Sequence, residues 1–417
     1  MLALLSDDTF LQVLAACSDV HDGGSSLHAD VPLFEAVKGL ACSKGLLERL
    51  QRLRPVVGTK SLAVVQRLVH GPWRVMLLYK GSLTAAVVEQ AWRGRVDSVN
   101  MRFTTLAPAV ARRVVPELLG AGSSLFELDL SFVKLDGTWA STFGEAAVCS
   151  PVLCKLRLEG CGLQGPLPEL RLPALRELHV SLYIKGGNQL MGGLDPLRSC
   201  TALQKLFLDD NDLTGGLEPL RFCTALQALR LSDNQIKGGL EPLRGCTALL
   251  ALHMGNNQIT GGLEPLRGCT ALQHFTMNNN QITGGLDALR GCTALEEVHL
   301  HGNALTGGLD PLRGCTVLQD LALHNNQLTG SLEPLRHCTA LHTICLSNNR
   351  LTGGLEPLRG NTGLDQLHLD NNRRLTGDIE PIRDCTWLQT LSLENTQLVL
   401  SDEDKTRFEE QCEEFTC

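Results

Sequence analysis

From Leu203 onward the chain repeats one phrase. LQKLFLDDNDLTGGLEPLRFCTA at Leu203 is followed by LQALRLSDNQIKGGLEPLRGCTA at Leu226, and the phrase restarts at Leu249, Leu272, Leu295, Leu318, Leu341 and Leu364, each 23 residues after the last. One inserted residue, Arg373 or Arg374, delays the next start to Leu388. Looser copies begin at Leu125, Leu153 and Leu175, and VDSVNMRFTTL over 96–106 fits the frame through Val96, Val99, Met101 and Leu106. That makes thirteen units. A unit this short cannot bury its own apolar face, so neighbours must stack and share one extended core. Thin layers of this kind also fit a composition with only 4% aromatics and 41 glycines.

Each position of the unit has a physical reading. In LxxLxLxxNxL the apolar pair two apart, as in Leu206/Leu208 and Leu229/Leu231, is a short strand with one buried face. The ninth residue is Asn211, Asn234, Asn257, Asn280, Asn303, Asn326, Asn349 and Asn372. A side-chain amide turned inward there needs partners and is predicted to bond backbone groups of adjacent turns. The residue before it, for example Asn279, reads as solvent-facing. Gly pairs from Gly215/Gly216 to Gly353/Gly354 let the chain turn where a Cβ would clash. Pro219 and its equivalents start a return segment too brief for an α-helix.

These tandem copies resemble the leucine-rich-repeat family over roughly three quarters of the chain. LEPLRGCTAL is similar to the short repeats of internalin-type and phosphatase-regulator-type proteins, and LTGG to the plant-type repeat. The resemblance implies an α/β repeat solenoid, a horseshoe with about thirteen parallel strands on its concave face. It also implies short 3₁₀ or extended segments on the convex face, and ligand binding through the solvent-facing strand positions.

In this frame those positions are the third, fifth, seventh and eighth. They include Lys205, Phe207, Asp209, Arg230, Asp233, His253, His274, Glu297, His299, His301, His324 and His368, which we take as the candidate protein-binding residues. Five histidines, from His253 to His324, fall within four consecutive repeats. His299 and His301 are two apart on one strand, hence on one face. His301 and His324 share a column on adjacent strands, ~5 Å apart. A metal site, a pH-sensitive surface and an ordinary polar contact face all fit this pattern, and the last is the plainest. If the partner is positive or apolar, binding should weaken as pH falls through ~6.5; an acidic partner reverses the sign.

Two further columns read as structural. Cys200, Cys223, Cys246, Cys269, Cys292, Cys315, Cys338 and Cys385 recur before Thr and lack any C-x-x-C pair, so they read as small buried side chains stacked between layers, with Asn361 interrupting them. In E-P-L-R every Arg follows an acid by three, so the stripe is self-neutralised and solvated.

The ends differ. Residues 1–95 show no repeat and a helical pattern, with candidate helices from Asp7 to Ala16 and from Leu33 to Leu53. Leu5, Phe10, Leu11 and Leu14, then Leu40, Ala41, Cys42 and Lys44, resemble an F-box, with Ser6 where that family has Pro. That resemblance implies docking of residues 1–55 onto a cullin-ligase adaptor; the alternative is a helical cap on the first repeat. Residues 96–400 form the repeat array. In the acidic segment 401–417, Ser401 and Asp404 make a capping box, with Phe408, Cys412 and Phe415 as the apolar face of a capping helix.

The N-terminus lacks a basic region and its apolar start is cut by Ser6, Asp7 and Asp8, so no signal peptide is expected. No apolar run reaches the ~20 residues of a membrane span, and no N-x-S/T acceptor occurs. Sixteen cysteines are then expected as reduced thiols in the cytoplasm or nucleus. A net charge of −8 argues against nucleic acid as partner. Motifs such as G-x-S-x-G and G-x-x-x-x-G-K-[ST] are missing, so no enzyme activity and no cofactor or metal is expected. The sequence therefore reads as a non-enzymatic scaffold binding a protein on its concave face. A cullin-type ubiquitin-ligase substrate receptor is the alternative, and a phosphatase regulatory subunit a third.

Overall fold

The computed structural model describes residues 125–135, 137–138, 148–181 and 188–417, together with three earlier strands. The chain forms two compact units, Met1–Leu190 and Met191–Cys417.

In the first unit six strands pair in parallel in chain order: β1 (Val56–Thr59), β2 (Val75–Tyr79), β3 (Val96–Asn100), β4 (Glu127–Asp129), β5 (Lys155–Arg157) and β6 (Glu177–His179). β1 and β2 carry the parallel sheet into the stretch assigned above to a helical cap. They escaped the repeat frame because strand starts here are 19, 21, 31, 28 and 22 residues apart, and neither strand is followed by the ladder asparagine. The candidate helices and the residues resembling an F-box lie outside the described residues.

In the second unit ten parallel strands follow: β7 (Lys205–Phe207), β8 (Ala228–Arg230), β9 (Ala251–His253), β10 (His274–Thr276), β11 (Glu297–His299), β12 (Asp320–Ala322), β13 (Thr343–Cys345), β14 (Gln366–His368), β15 (Thr390–Ser392) and β16 (Glu414–Thr416). All thirteen strands implied by the repeat, β3 to β15, are therefore formed. Registers are exact from repeat to repeat, as in Leu252 beside Phe275 and Phe275 beside Val298. The central residue of each strand points into the core, and the repeat apolar residues around it are buried: Leu206, Leu208, Leu213, Leu220 and Leu226 are all fully covered.

The return segments are 3₁₀ turns such as Glu218–Leu220 and Glu241–Leu243, begun by proline because its fixed φ suits the first turn and its missing N–H is not needed there. All but the last, Glu380–Ile382, close an exposed acid–Arg pair, for example Arg244 with Glu241 at 2.6 Å. The first glycine of each Gly pair is the one that needs the left-handed region; Gly261 has φ 81° with empty space around it.

The asparagine column works as the amide chemistry requires. Asn280 Oδ1 accepts from Ile259 N–H of the preceding turn at 2.9 Å, while its Nδ2 donates to the carbonyls of Met254, Met277 and Asn278. In the first unit two unlike residues take this role. Cys161 Sγ donates to the Leu130 carbonyl at 3.1 Å, and Asn188, displaced by an insertion, bonds Leu163, Leu158 and Val180. The insertion and the change of residue type hid both from the sequence pattern.

The cysteine column is buried, and each thiol points at a preceding turn rather than at a neighbouring sulfur. Cys246 Sγ lies 3.5 Å from the Cys223 carbonyl and Cys269 Sγ 3.4 Å from that of Cys246. Burial pushes Cys223 and Cys315 up to about 12, and Cys246, Cys269, Cys338 and Cys385 up to about 11, so these thiols are inert near neutrality. Asn361, at 1% exposure, leaves both its Oδ1 and its Nδ2 without a hydrogen bond. An orphaned buried amide costs ~1–3 kcal/mol, so Asn361→Cys should stabilise the protein by about 1–2 kcal/mol. A denaturant midpoint at or below wild type would show that the amide is satisfied.

The C-terminal segment is only partly the helix expected. Asp402–Gln411 is helical (α1) with the Ser401/Asp404 capping box formed, but Phe415 lies on β16 beside β15. Phe415 still reaches the helix, its ring 6.1 Å from that of Phe408.

Candidate functional site

Within a strand the outer residues flank a buried one, so the third and fifth repeat positions emerge on the open face of the sheet, opposite the core. They are half-buried by neighbours 23 residues away. In the first unit this face is an ion-paired cluster. Arg157 bonds Glu127 at 2.9 Å and Glu177 at 2.7 Å, and His179 Nδ1 lies 3.4 Å from Glu159.

In the second unit the candidate residues form three groups. At one end, Lys205 and Phe207 emerge from β7, and the Arg230 guanidinium sits 5.5 Å from the Phe207 ring centroid. Arg230 Nε is 3.3 Å from Asp209 Oδ2. Asp209 is itself buried and accepts the Ser232 N–H at 2.9 Å. Its carboxylate therefore orders the turn and positions Arg230, a different place from the free contact position that the frame suggests.

In the middle, His274 Nδ1 and Glu297 Oε2 approach to 3.3 Å across β10 and β11. His299 lies on β11 between Thr276 and Ala322, its register partners. His301 and His324 stack with ring centroids 4.2 Å apart and planes 12° from parallel. Their Nδ1 atoms are buried without a partner. Toward the other end, His368 Nε2 is 3.2 Å from Thr390 Oγ1. Next to it Asp370 accepts from Ser347 Oγ, from Ser392 Oγ at 3.1 Å and from Asn371 Nδ2 at 2.7 Å.

The eighth column has another role than contact. Asp210, Asp233, Asn256, Asn279, Asn325, Asn348, Asn371 and Asn395 all have φ between 52° and 60°, and Gly160, Gly302 and, in a looser repeat, Phe132 hold the same position with φ of 60°, 66° and 61°. Asp and Asn tolerate this left-handed conformation better than other side-chain-bearing residues. Asp233 is therefore selected by its backbone, and its carboxylate accepts from Asn256 Nδ2 at 2.8 Å. The recurrence of Asp, Asn and Gly at one position is the sequence signal for it.

Three of the imidazoles are held neutral. Burial, with Arg230 and His274 adding to it, pushes His253 down to about 4; burial, then His324 and His299, pushes His301 down to about 4. His324 is lowered too, by burial and His368. The window near pH 6.5 expected for protonation of this surface therefore moves down for these three. Their low folded values make stability complete above the unfolded value of ~6.5 and lost progressively as pH falls toward 4. Urea midpoints should drop between pH 7 and pH 4.5, and His253→Gln with His301→Gln should flatten that drop. An unchanged slope in the double variant would mean that these rings are not the groups responsible. Among the described residues, no three His, Cys, Asp or Glu side chains are arranged to hold a metal ion.

One parallel strand per repeat, an asparagine ladder and 3₁₀ returns define the leucine-rich-repeat solenoid, and that is the fold of this chain. No family model and no curated protein matches the sequence. Solved structures share the fold at low identity. The plant peptide hormone receptor RGFR1 in complex with RGF2 aligns with TM-score 0.65 and 22% identity over 84% of this chain and 60% of its own. A leucine-rich-repeat protein of Leptospira interrogans gives 0.60 and 18% over 97% and 98%. An internalin of Listeria monocytogenes gives 0.53 and 19% over 89% and 95%. The chain spans 60% of RGFR1 and 48% of a second plant receptor ectodomain, from Arabidopsis thaliana.

Proposed function

We propose that this chain binds a segment of another protein, noncovalently, on the open strand face. The observation that carries this reading is the contrast between the two kinds of repeat position. Core, asparagine, glycine and 3₁₀ positions recur almost unchanged, while the third, fifth and seventh positions differ at nearly every step and, apart from a few buried ones such as Asp209 and Ser347, stay at least partly exposed on a rigid frame. Such a frame presents side chains with little ordering cost, and affinity then comes from a few anchors such as Phe207 and Arg230. Plant receptors of the same fold were solved holding peptide hormones, RGF2 in one and IDA in another, which supports the reading.

Most cysteines among the described residues are buried free thiols, which supports a reducing compartment, and we propose the cytoplasm or nucleus. Service to a cullin-type ligase would need residues 1–55 to bind its adaptor; loss of adaptor recovery on Leu11→Ala with Leu14→Ala tests it.

A photo-crosslinking amino acid at Thr276 or Ala322, on the open face, should capture the partner in cells. The same group at Arg244 or Arg267, on the opposite side, should not. Equal adducts from both sides would reject the face as the binding surface.

A further inference from the structure

We propose that the occupant of this face is a basic segment of a partner protein, whose Lys and Arg side chains meet Glu297, Asp320, Asp370 and Glu394. The proposal rests on the reading that the open face binds protein, and it adds the chemical class of the ligand.

The argument is one of charge placement. From β9 to β15 the third, fifth, seventh and eighth positions hold those four carboxylates and not one Lys or Arg. The arginines of the same repeats sit elsewhere. Arg244, Arg267, Arg290, Arg313, Arg336 and Arg359 are each spent on an acid three residues earlier, in the 3₁₀ returns. Arg350 and Arg374 belong to a separate set of short strands, Arg350–Gly353 and Arg374–Asp378. The fold thus neutralises its opposite side and leaves the strand face from β9 to β15 with an excess of carboxylates, of which Glu297 faces the His274 imidazole.

Three details point the same way. Asp320 and Glu394 have no ion-pair partner among the described residues. Asp370 is oriented by three neutral donors, Ser347, Ser392 and Asn371, which fix the carboxylate without cancelling its charge. Of the imidazoles on this face, His253 and His301 are kept deprotonated by burial down to about pH 4, and burial lowers His324 too, so these three add no positive charge near neutrality. In His301 and His324 the buried, unpartnered Nδ1 is better left as a bare lone pair than as an orphaned N–H. The ring proton then sits on Nε2, as a donor for main-chain carbonyls of an extended ligand. A cationic peptide therefore meets acids for its side chains and neutral donors for its backbone, and opposed charge over such a face raises both specificity and on-rate.

The test uses the full chain and a fluorescent decapeptide of alternating Arg and Ser, with an alternating Glu and Ser peptide of the same length, read by anisotropy. The basic peptide should bind and the acidic one should not. Asp320→Lys with Glu394→Lys should weaken the basic peptide at least ~10-fold, and the milder Asp320→Asn with Glu394→Gln should weaken it less. Asp212→Lys with Asp384→Lys changes net charge equally at exposed sites off the face and should alter binding by less than ~3-fold. Equal loss in both Lys variants, preference for the acidic peptide, or no binding of the basic one would overturn the proposal. If the open face still crosslinks its partner in that event, the protein-binding reading stands and only the ligand class is wrong.

Discussion

Replacing Asn280 with Ala is expected to cost about 3 kcal/mol. The substitution strands the Ile259 N–H and withdraws donors from the carbonyls of Met254 and Met277, all deep between turns. Each buried group left unpaired costs ~1–3 kcal/mol. One residue earlier the physics changes. Asn279 is exposed, which on burial alone marks it as tolerant, yet its φ of 52° makes Ala strained there. Asn279→Ala should cost about 1 kcal/mol and Asn279→Gly close to nothing. Denaturant melts of the three variants should therefore rank Asn280→Ala far below Asn279→Ala, with Asn279→Gly near wild type. Equal losses for Asn279→Ala and Asn279→Gly would remove the backbone explanation.

Asp404→Ala should cost about 2 kcal/mol and loosen the C-terminal helix before the rest of the protein melts. Asp404 is 4% exposed and receives both arms of Arg383, at 2.7 and 2.8 Å. It also accepts the Ser401 hydroxyl at 2.6 Å and closes the capping box. Loss of a cap costs ~1 kcal/mol and loss of charge-assisted bonds adds to it. The Arg383 guanidinium, with Ser401, holds this carboxyl at about 2, below the ordinary 3.8. Its contribution is thus complete above pH 4 and lost as pH falls toward 2, a window separate from that of the histidines. Hydrogen exchange over Asp402–Gln411 should accelerate in Asp404→Ala. The exposed neighbour Glu403→Ala should change stability by only a few tenths of a kcal/mol. Comparable effects of the two would mean that the Arg383 contact is not formed in solution.

The repeat phrase made β3 to β15, the asparagine ladder, the cysteine column and the 3₁₀ returns legible in the sequence, because each depends on contacts with an identical neighbour one period away. A periodic chain carries its own packing partner, so position in the frame decides burial. What broke the period was hidden. β1 and β2 lack the frame, Asn188 sits behind an insertion, Cys161 stands for an asparagine, and β16 follows a helix instead of a 3₁₀ return. On the open face the frame told which side chains emerge, and no more than that. Whether Asp209 is free or pinned by Ser232, whether Asp233 serves the ligand or its own backbone, and whether His301 titrates near 6.5 or near 4 depend on distances between different residues of adjacent repeats. Those distances arise only when the strands pair, since burial and stacking at 4.2 Å are properties of the assembled sheet rather than of any single repeat.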